Sequence, residues 1–206
     1  MDSENIFLAL KNIKKTIDLN KDEIEKLDQA IGDGDHIFNI QRGLNEALKL
    51  EHELSNLSPE EVFKKIGMKI MTTVGGSSGA LFATLLVGMS KKYSKESNDL
   101  ENLAAMFYEG VEATKKRGKA DIGEKTMLDV LIPVSLSLTE LKNEKNIQTV
   151  AEKIKMVAEE GMLSTKDIMA TKGRASFLGE RAIGHIDPGA RSSQLAINAI
   201  CDEYIK

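Results

Sequence analysis

Residues 28 to 39 read Asp28-Gln29-Ala30-Ile31-Gly32-Asp33-Gly34-Asp35-His36-Ile37-Phe38-Asn39, a short run that holds a helix end, a bend and a helix start. Upstream, Ile24, Leu27 and Ile31 recur at helical spacing, so a short helix capped by Asn20 leads into the bend. Downstream, Ile40, Leu44, Ala47 and Leu48 keep the same period to about residue 50, with Asp35 at the N-cap position of the new helix. Two glycines alternate with two aspartates between them, which lets the backbone turn sharply and aim both carboxylates at one point. Asp28 lies beside the upstream stripe, about one turn before the bend. Hard oxygen donors on a tight turn suit Mg²⁺ or Ca²⁺, and Mg²⁺ completes a shell of one or two carboxylates with water and substrate phosphates. The alternative reading of the same residues is an exposed acidic turn that only caps a helix.

The pattern extends outward from this bend. Ile6, Leu10, Ile13 and Ile17 mark a helix over residues 3 to 18. Ser58-Pro59-Glu60-Glu61 joins an N-cap, a first-turn proline and a glutamate three residues after the cap, which starts a helix running to about residue 73. Thr72-Thr73-Val74-Gly75-Gly76-Ser77-Ser78-Gly79 then forms a small-residue turn before the apolar run Ala80 to Met89. Backbone amides there, with the hydroxyls of Ser77 and Ser78, can approach phosphate oxygens closely; a plain turn between packed helices is the competing reading. It is not a P-loop, since the Lys-Ser/Thr after the glycines is missing.

An Asp99-capped helix with Leu103, Met106, Phe107 and Val111 inward closes at Arg117-Gly118. The loop from Lys119 leads to Thr126-x-x-Asp129, which opens a helix to about residue 141, and Pro133 kinks it or marks its early turns. Met127 either covers an adenine face with its thioether or fills core. Asn146 caps a helix with Val150, Ile154, Val157 and Met162 inward, a pattern that extends to about Ala170. Gly173 to Arg191 is long for a structureless connection, carries Arg174, Arg181 and Arg191 as planar forks for phosphate or carboxylate, and has Phe177, Leu178, Ile183 and Ile186 to anchor it. Pro188 opens a final helix with Leu195, Ala196, Ala199, Ile200 and Tyr204 inward.

No segment alternates with period two, so the expected fold is all-α, a bundle of about eight or nine amphipathic helices in one domain over residues 1–206. The informative loops follow alternate helices, and an up-and-down arrangement gathers such loops at one end. Hydrophobic residues make up 41% and charged residues 29%, as in globular proteins, and no apolar run reaches the roughly 20 residues that span a bilayer. A net charge of −4 and 4% aromatics argue against a nucleic-acid binder. The acidic start Met1-Asp2-Ser3-Glu4 and the lone Cys201 lead to the expectation of a cytoplasmic protein, with Cys201 as core filler.

Four motifs in order, Gly32-Asp33-Gly34-Asp35-His36, Gly75-Gly76-Ser77-Ser78-Gly79, Lys125-Thr126-Met127-Leu128-Asp129, and Gly173-Arg174-Ala175-Ser176 through Gly184-His185-x-Asp187-Pro188-Gly189-Ala190, together resemble the DhaL family, the nucleotide-binding subunit of dihydroxyacetone kinase. The resemblance spans nearly the whole chain. It implies an antiparallel barrel of eight helices with ADP at one end and two Mg²⁺ ions bridging the phosphates. It implies Asp28, Asp33 and Asp35 as Mg²⁺ ligands, His36, Asn39, Ser77 and Ser78 near the phosphates, and Gly118, Met127, Arg174, Asp187, Pro188 and Gly189 in the rest of the nucleotide pocket. In the family's three-component form a phosphohistidine partner, DhaM, phosphorylates the bound ADP, and the phosphoryl group passes to dihydroxyacetone held on a DhaK subunit. The chain's length favours that form over a fused ATP-dependent kinase. Ile37, Ile40 and Ala80 stand where the family usually has glycine, methionine and proline, and Ile37 is expected to stiffen the bend. A related domain of fatty-acid kinases tends to carry threonine at the position of His36, so His36 favours the dihydroxyacetone branch. Two alternatives remain: a nucleotide-binding regulatory subunit acting on a transcription factor, and a kinase subunit for another acceptor.

Overall fold

The computed structural model describes residues 1–205, and these are helical with no strand. The elements are α1 Ser3–Leu19, α2 Lys21–Ile31, α3 His36–Leu48, the single turn α4 Glu51–Leu54, α5 Pro59–Thr73, α6 Gly76–Met89, α7 Asp99–Gly118, α8 Leu128–Leu141, α9 Ile147–Ser164, a 3₁₀ segment Arg174–Ala182, and α10 Pro188–Cys201. The all-α expectation holds, with nine long helices plus the short α4 and the 3₁₀ segment.

Packing follows the chain. α1 lies against α3, α3 against α5, and α5 through α10 pack in sequence, with α10 returning to α1, so eight helices close into a ring. α2 stands outside this order and packs on α3, α10 and the 3₁₀ segment. The largest apolar cluster lies among α6 to α10 and includes Met106, Val130, Val134 and Ala158. A second, with Phe7, Val62 and Ile66, fills the space among α1, α3, α5 and α6. Ile17, Ile24, Ile37 and Leu195 form a third at the seam where α10 meets α1, α2 and α3.

Two contacts show how closely the helices approach. A Cβ on Gly88 of α6 would stand 2.7 Å from Gly110 Cα of α7, and one on Gly110 would stand 2.7 Å from the Leu85 carbonyl, so this crossing is backbone on backbone. In α8, Pro133 has no N–H to give the Asp129 carbonyl, and a Cβ on Gly161 of α9 would collide with that same oxygen. The proline therefore sits inside α8, one turn after the carbonyl against which α9 packs.

Several local expectations are corrected. The side chain of Asn20 occupies the N-cap of α2 without capping it and instead donates to the Thr16 carbonyl, closing α1. Asn98, not Asp99, caps α7, through hydrogen bonds from Leu100 N and Glu101 N and a reciprocal one to Glu101. α9 stops at Ser164, well short of Ala170, because the chain turns there to begin the long loop. Tyr204 lies beyond α10 and is exposed; the inward face of α10 carries Ser192, Ser193, Gln194, Leu195, Ile197, Ala199 and Cys201. Ile37 is fully buried in the seam cluster, so it anchors α3 and lies outside the bend it was expected to stiffen. The capping box at Ser58 and the end of α5 at Thr73 match the sequence reading.

Candidate functional site

The bend between α2 and α3 places Asp28, Asp33 and Asp35 so that one carboxylate oxygen of each lies within 4.8 Å of the others. Asp28 belongs to the last turn of α2 and is buried, whereas Asp33 and Asp35 are exposed. Gly32 is required beside it, since a Cβ there would collide with Asp28 Oδ1. Asp28 also caps α3: its Oδ2 accepts from His36 N at 3.0 Å, and Asp35, though at the N-cap position, makes no side-chain cap. Asp28 thus combines both readings of the bend.

The start of α6 lies against this corner. Gly76 has φ +76°, and a Cβ on it would stand 3.0 Å from Asn39 Nδ2 and 3.5 Å from Asp35 Oδ2. Asn39 is buried, and its Nδ2 has no hydrogen-bond partner, an orphan donor beside the acidic cluster. Ser77 and Ser78, expected in a turn, lie in the first helical turn of α6, whose N-cap Gly75 supplies no side chain, leaving the initial amides open to an external acceptor.

The long loop reaches the same corner from the other side. Arg174, at the start of the 3₁₀ segment, sets Nε 2.9 Å from Asp33 Oδ2. Ala170, Ala175 and Ala182 pack with Ile31 beneath it, so small residues as well as large ones tie the loop down, while Phe177 is 82% exposed and anchors nothing. His36 faces α10: its Nε2 is 3.0 Å from Ser192 Oγ and its ring meets the Pro188 backbone. Burial lowers its pKa against the opposing pull of Asp28, the Pro188 backbone and the other aspartates, so the ring is held neutral. The ring thereby ties α3 to α10 directly beside the acidic corner.

A second group lies at the N-terminus of α10. Asp187 caps that helix by accepting from Ala190 N at 2.7 Å, and burial, with Asp129 nearby, pushes its pKa up to about 7 despite the amides of Ala190 and Gly189 and the Lys125 ammonium. Asp129 accepts from Thr126 N at 2.7 Å and Gly123 N at 2.5 Å, which shapes the loop before α8. Met127 is buried in the main core, and a Cβ on Gly189 would stand 3.5 Å from it, so Met127 and Gly189 share one wall. Gly118, at the end of α7, faces Leu81 of α6 at 3.4 Å from where its Cβ would be. The His36 contact with Pro188 and Ser192 joins this group to the acidic corner.

Mg²⁺ suits this donor set. Three carboxylates converge beside an unpaired amide donor and the open N-terminus of α6, which complements an anion carried by the metal. Lys125 is the residue that sequence reasoning undervalued. Its charge and its place in the loop before Thr126 give no sign of burial, yet it is buried.

Residues 30–202 match the DAK2 domain. The chain belongs to that family. This DAK2 domain is 43% identical over 193 residues to the Listeria innocua "PEP-dependent dihydroxyacetone kinase 1, ADP-binding subunit DhaL", covering 93% of the chain and 91% of the relative. It is 44% identical over 185 residues to the Lactococcus lactis "PTS-dependent dihydroxyacetone kinase, ADP-binding subunit DhaL", covering 89% and 88%. Among solved structures, the dihydroxyacetone kinase from C. freundii in complex with AMP-PNP and Mg²⁺ superposes with a TM-score of 0.70 at 27% identity, over 95% of this DAK2 domain and 33% of that longer chain.

Proposed function

We propose that residues 1–206 act as one nucleotide-binding domain, the ADP-binding subunit of a dihydroxyacetone kinase that takes its phosphoryl group from a phosphohistidine partner of the DhaM kind. The acceptor dihydroxyacetone sits on a separate DhaK-like subunit. The observation that carries this reading is the convergence of Asp28, Asp33 and Asp35 beside the buried, unpaired Asn39 Nδ2 and the open amides of α6. Relatives covered over about nine-tenths of their own length are named as ADP-binding DhaL subunits, which supports the separate-subunit form.

Asp28, Asp33 and Asp35 hold Mg²⁺, two ions in this reading, which supply positive charge against the diphosphate and the group in transfer. Ser77, Ser78 and the first amides of α6 receive phosphate oxygens, and Asn39 Nδ2 donates to one of them. Arg174 leaves Asp33 to pair with phosphate. Met127, Gly118 and the Asp187-Pro188-Gly189 turn bound the nucleoside, and Gly189 leaves room for it against Met127. His36, which also keeps α3 in register with α10, lies near the phosphates. The setting is cytoplasmic; among the described residues no helix is long and apolar enough to cross a membrane.

Calorimetry should give firm Mg·ADP binding, and no affinity with Mg²⁺ present would overturn the reading. Reconstitution with DhaK-like and DhaM-like subunits should yield dihydroxyacetone phosphate. Firm ADP binding with no turnover would instead favour a regulatory subunit or another acceptor.

A further inference from the structure

Lys125 is 1% exposed, although lysine is almost never fully buried without partners. Its Nζ donates to the backbone carbonyl of Thr165, to those of Lys166 at 3.4 Å and Ile168 at 3.3 Å, and to that of His185 at 2.5 Å. Three of these oxygens leave the end of α9 and the fourth precedes α10. The same two stretches are tied by Gly184 N to the Lys166 carbonyl at 2.8 Å and by Asp187 N to Thr165 Oγ1 at 3.0 Å, so residues 166–184 form a loop with a closed neck. The ammonium fills that neck.

The backbone supports a built feature. Lys125 has φ +61°, and among the described residues only it and Lys119, in the same connection, are non-glycine residues with positive φ. A lysine kept in that region is held by its surroundings. Next to it, Thr171 Oγ1 donates to Glu124 Oε1 at 2.9 Å, adding a second tie from the same connection to the loop. The charged groups facing Lys125 are Asp187, Asp167 and Asp129, and burial lowers its pKa against their pull.

The loop contains Arg174, which reaches Asp33, and it delivers the chain to Asp187 and Gly189. Residue 125 is two positions before Met127. The geometry points to Lys125 as a positioning residue: its ammonium closes the neck of the 166–184 loop and thereby fixes Arg174 and the start of α10 relative to Met127. The inference rests on the nucleotide-site reading for its consequence, but not for its structural content. Without the ammonium, the carbonyls of Thr165, Ile168 and His185 converge with no donor and that of Lys166 keeps only Gly184 N, which favours local opening of the loop, because α1, α3, α5 and α6 keep their own core.

The unaltered protein provides the first test, reductive methylation read by mass spectrometry. Lys125 should react last among the lysines, and labelling as fast as exposed Lys119 would overturn the proposal. In Lys125→Met, amide exchange should quicken across residues 166–186 while that of α5 and α6 stays unchanged, and Mg·ADP affinity should fall about tenfold as the competent loop becomes a minority state. In Lys125→Ala, propylammonium should restore loop protection, and since Lys125→Met keeps the bulk of the side chain without its charge, the two variants together separate charge from volume. Unchanged exchange in Lys125→Met, or no rescue in Lys125→Ala, would overturn the role. If the unaltered protein bound no Mg·ADP, the nucleotide reading would fail, while methylation and exchange would still decide the role of Lys125.

Discussion

Arg174 Nε pairs with Asp33 Oδ2 at 2.9 Å, a contact that joins the first bend of the chain to its last loop. The guanidinium occupies a carboxylate that a divalent cation would share, so two cations compete for Asp33. Arg174→Gln should therefore bind Mn²⁺, used as a probe without nucleotide, more tightly, and Mg·ADP more weakly. Both partners are well exposed, so releasing the pair costs on the order of 0.2–1 kcal/mol and the gain in metal affinity stays below about fivefold. Titration by calorimetry checks both signs; unchanged Mn²⁺ affinity would show that the pair does not guard the metal corner.

Asp28 carries two roles that substitution can separate. Its Oδ2 caps α3 through His36 N, and its carboxylate belongs to the metal cluster. An amide oxygen still accepts the cap hydrogen bond but carries no charge. Asp28→Asn should lose metal with a small change in stability, whereas Asp28→Ala should lose metal and about 1–2 kcal/mol more. Asp33→Ala, at an exposed position away from any cap, should lose metal while staying within about 0.5 kcal/mol of the parent. Urea denaturation beside metal titration reads each; equal stability of the two Asp28 variants would remove the capping role.

The helices were legible because their signals are local: Ser58-Pro59-Glu60-Glu61 announces α5, and Asn146 announces α9, from residues three or four apart. The meeting of the loops at one end was also legible, from helix order alone. The ring of His36, by contrast, is claimed by Ser192 on α10, and the Lys125 ammonium by carbonyls 40 residues or more further along. Backbone carbonyls have no sequence signature, so a lysine that serves them reads as a surface charge. The choice of Asn98 over Asp99 as cap turned on a single position, where both residue types are good caps.

Asp187 makes the fold's stability depend on pH in a set direction. Its folded pKa of about 7 lies above the usual carboxylate value near 3.9. Over the interval between them the folded chain holds a proton that the unfolded chain has released, so stability from this group is fully present below about pH 4 and is lost as pH rises through about 7. Asp187→Asn keeps an N-cap acceptor and removes the titration. The stability of the parent relative to Asp187→Asn should fall between pH 5 and pH 8, with the histidines cancelling in the difference. Parallel denaturation curves at the two pH values measure it, and a constant difference would mean that Asp187 is ionised throughout.

Gly110 sets two effects against each other. In the middle of α7, alanine has a higher helix propensity than glycine by about 1 kcal/mol, which favours Gly110→Ala. The added Cβ would stand 2.7 Å from the Leu85 carbonyl and 2.8 Å from Met89 Cγ. Met89 can swing aside, but the carbonyl belongs to the backbone of α6 and cannot move without shifting a helix that also packs on α5. Overpacking of this kind costs about 1–3 kcal/mol, so the steric effect wins and the net change is destabilising. Gly118→Ala, where the nearest atom is the flexible Leu81 side chain at 3.4 Å, lacks that penalty and should be better tolerated. Thermal unfolding of the two variants side by side tests the ordering, and a Gly110→Ala protein as stable as the parent would mean that α6 and α7 can separate without cost.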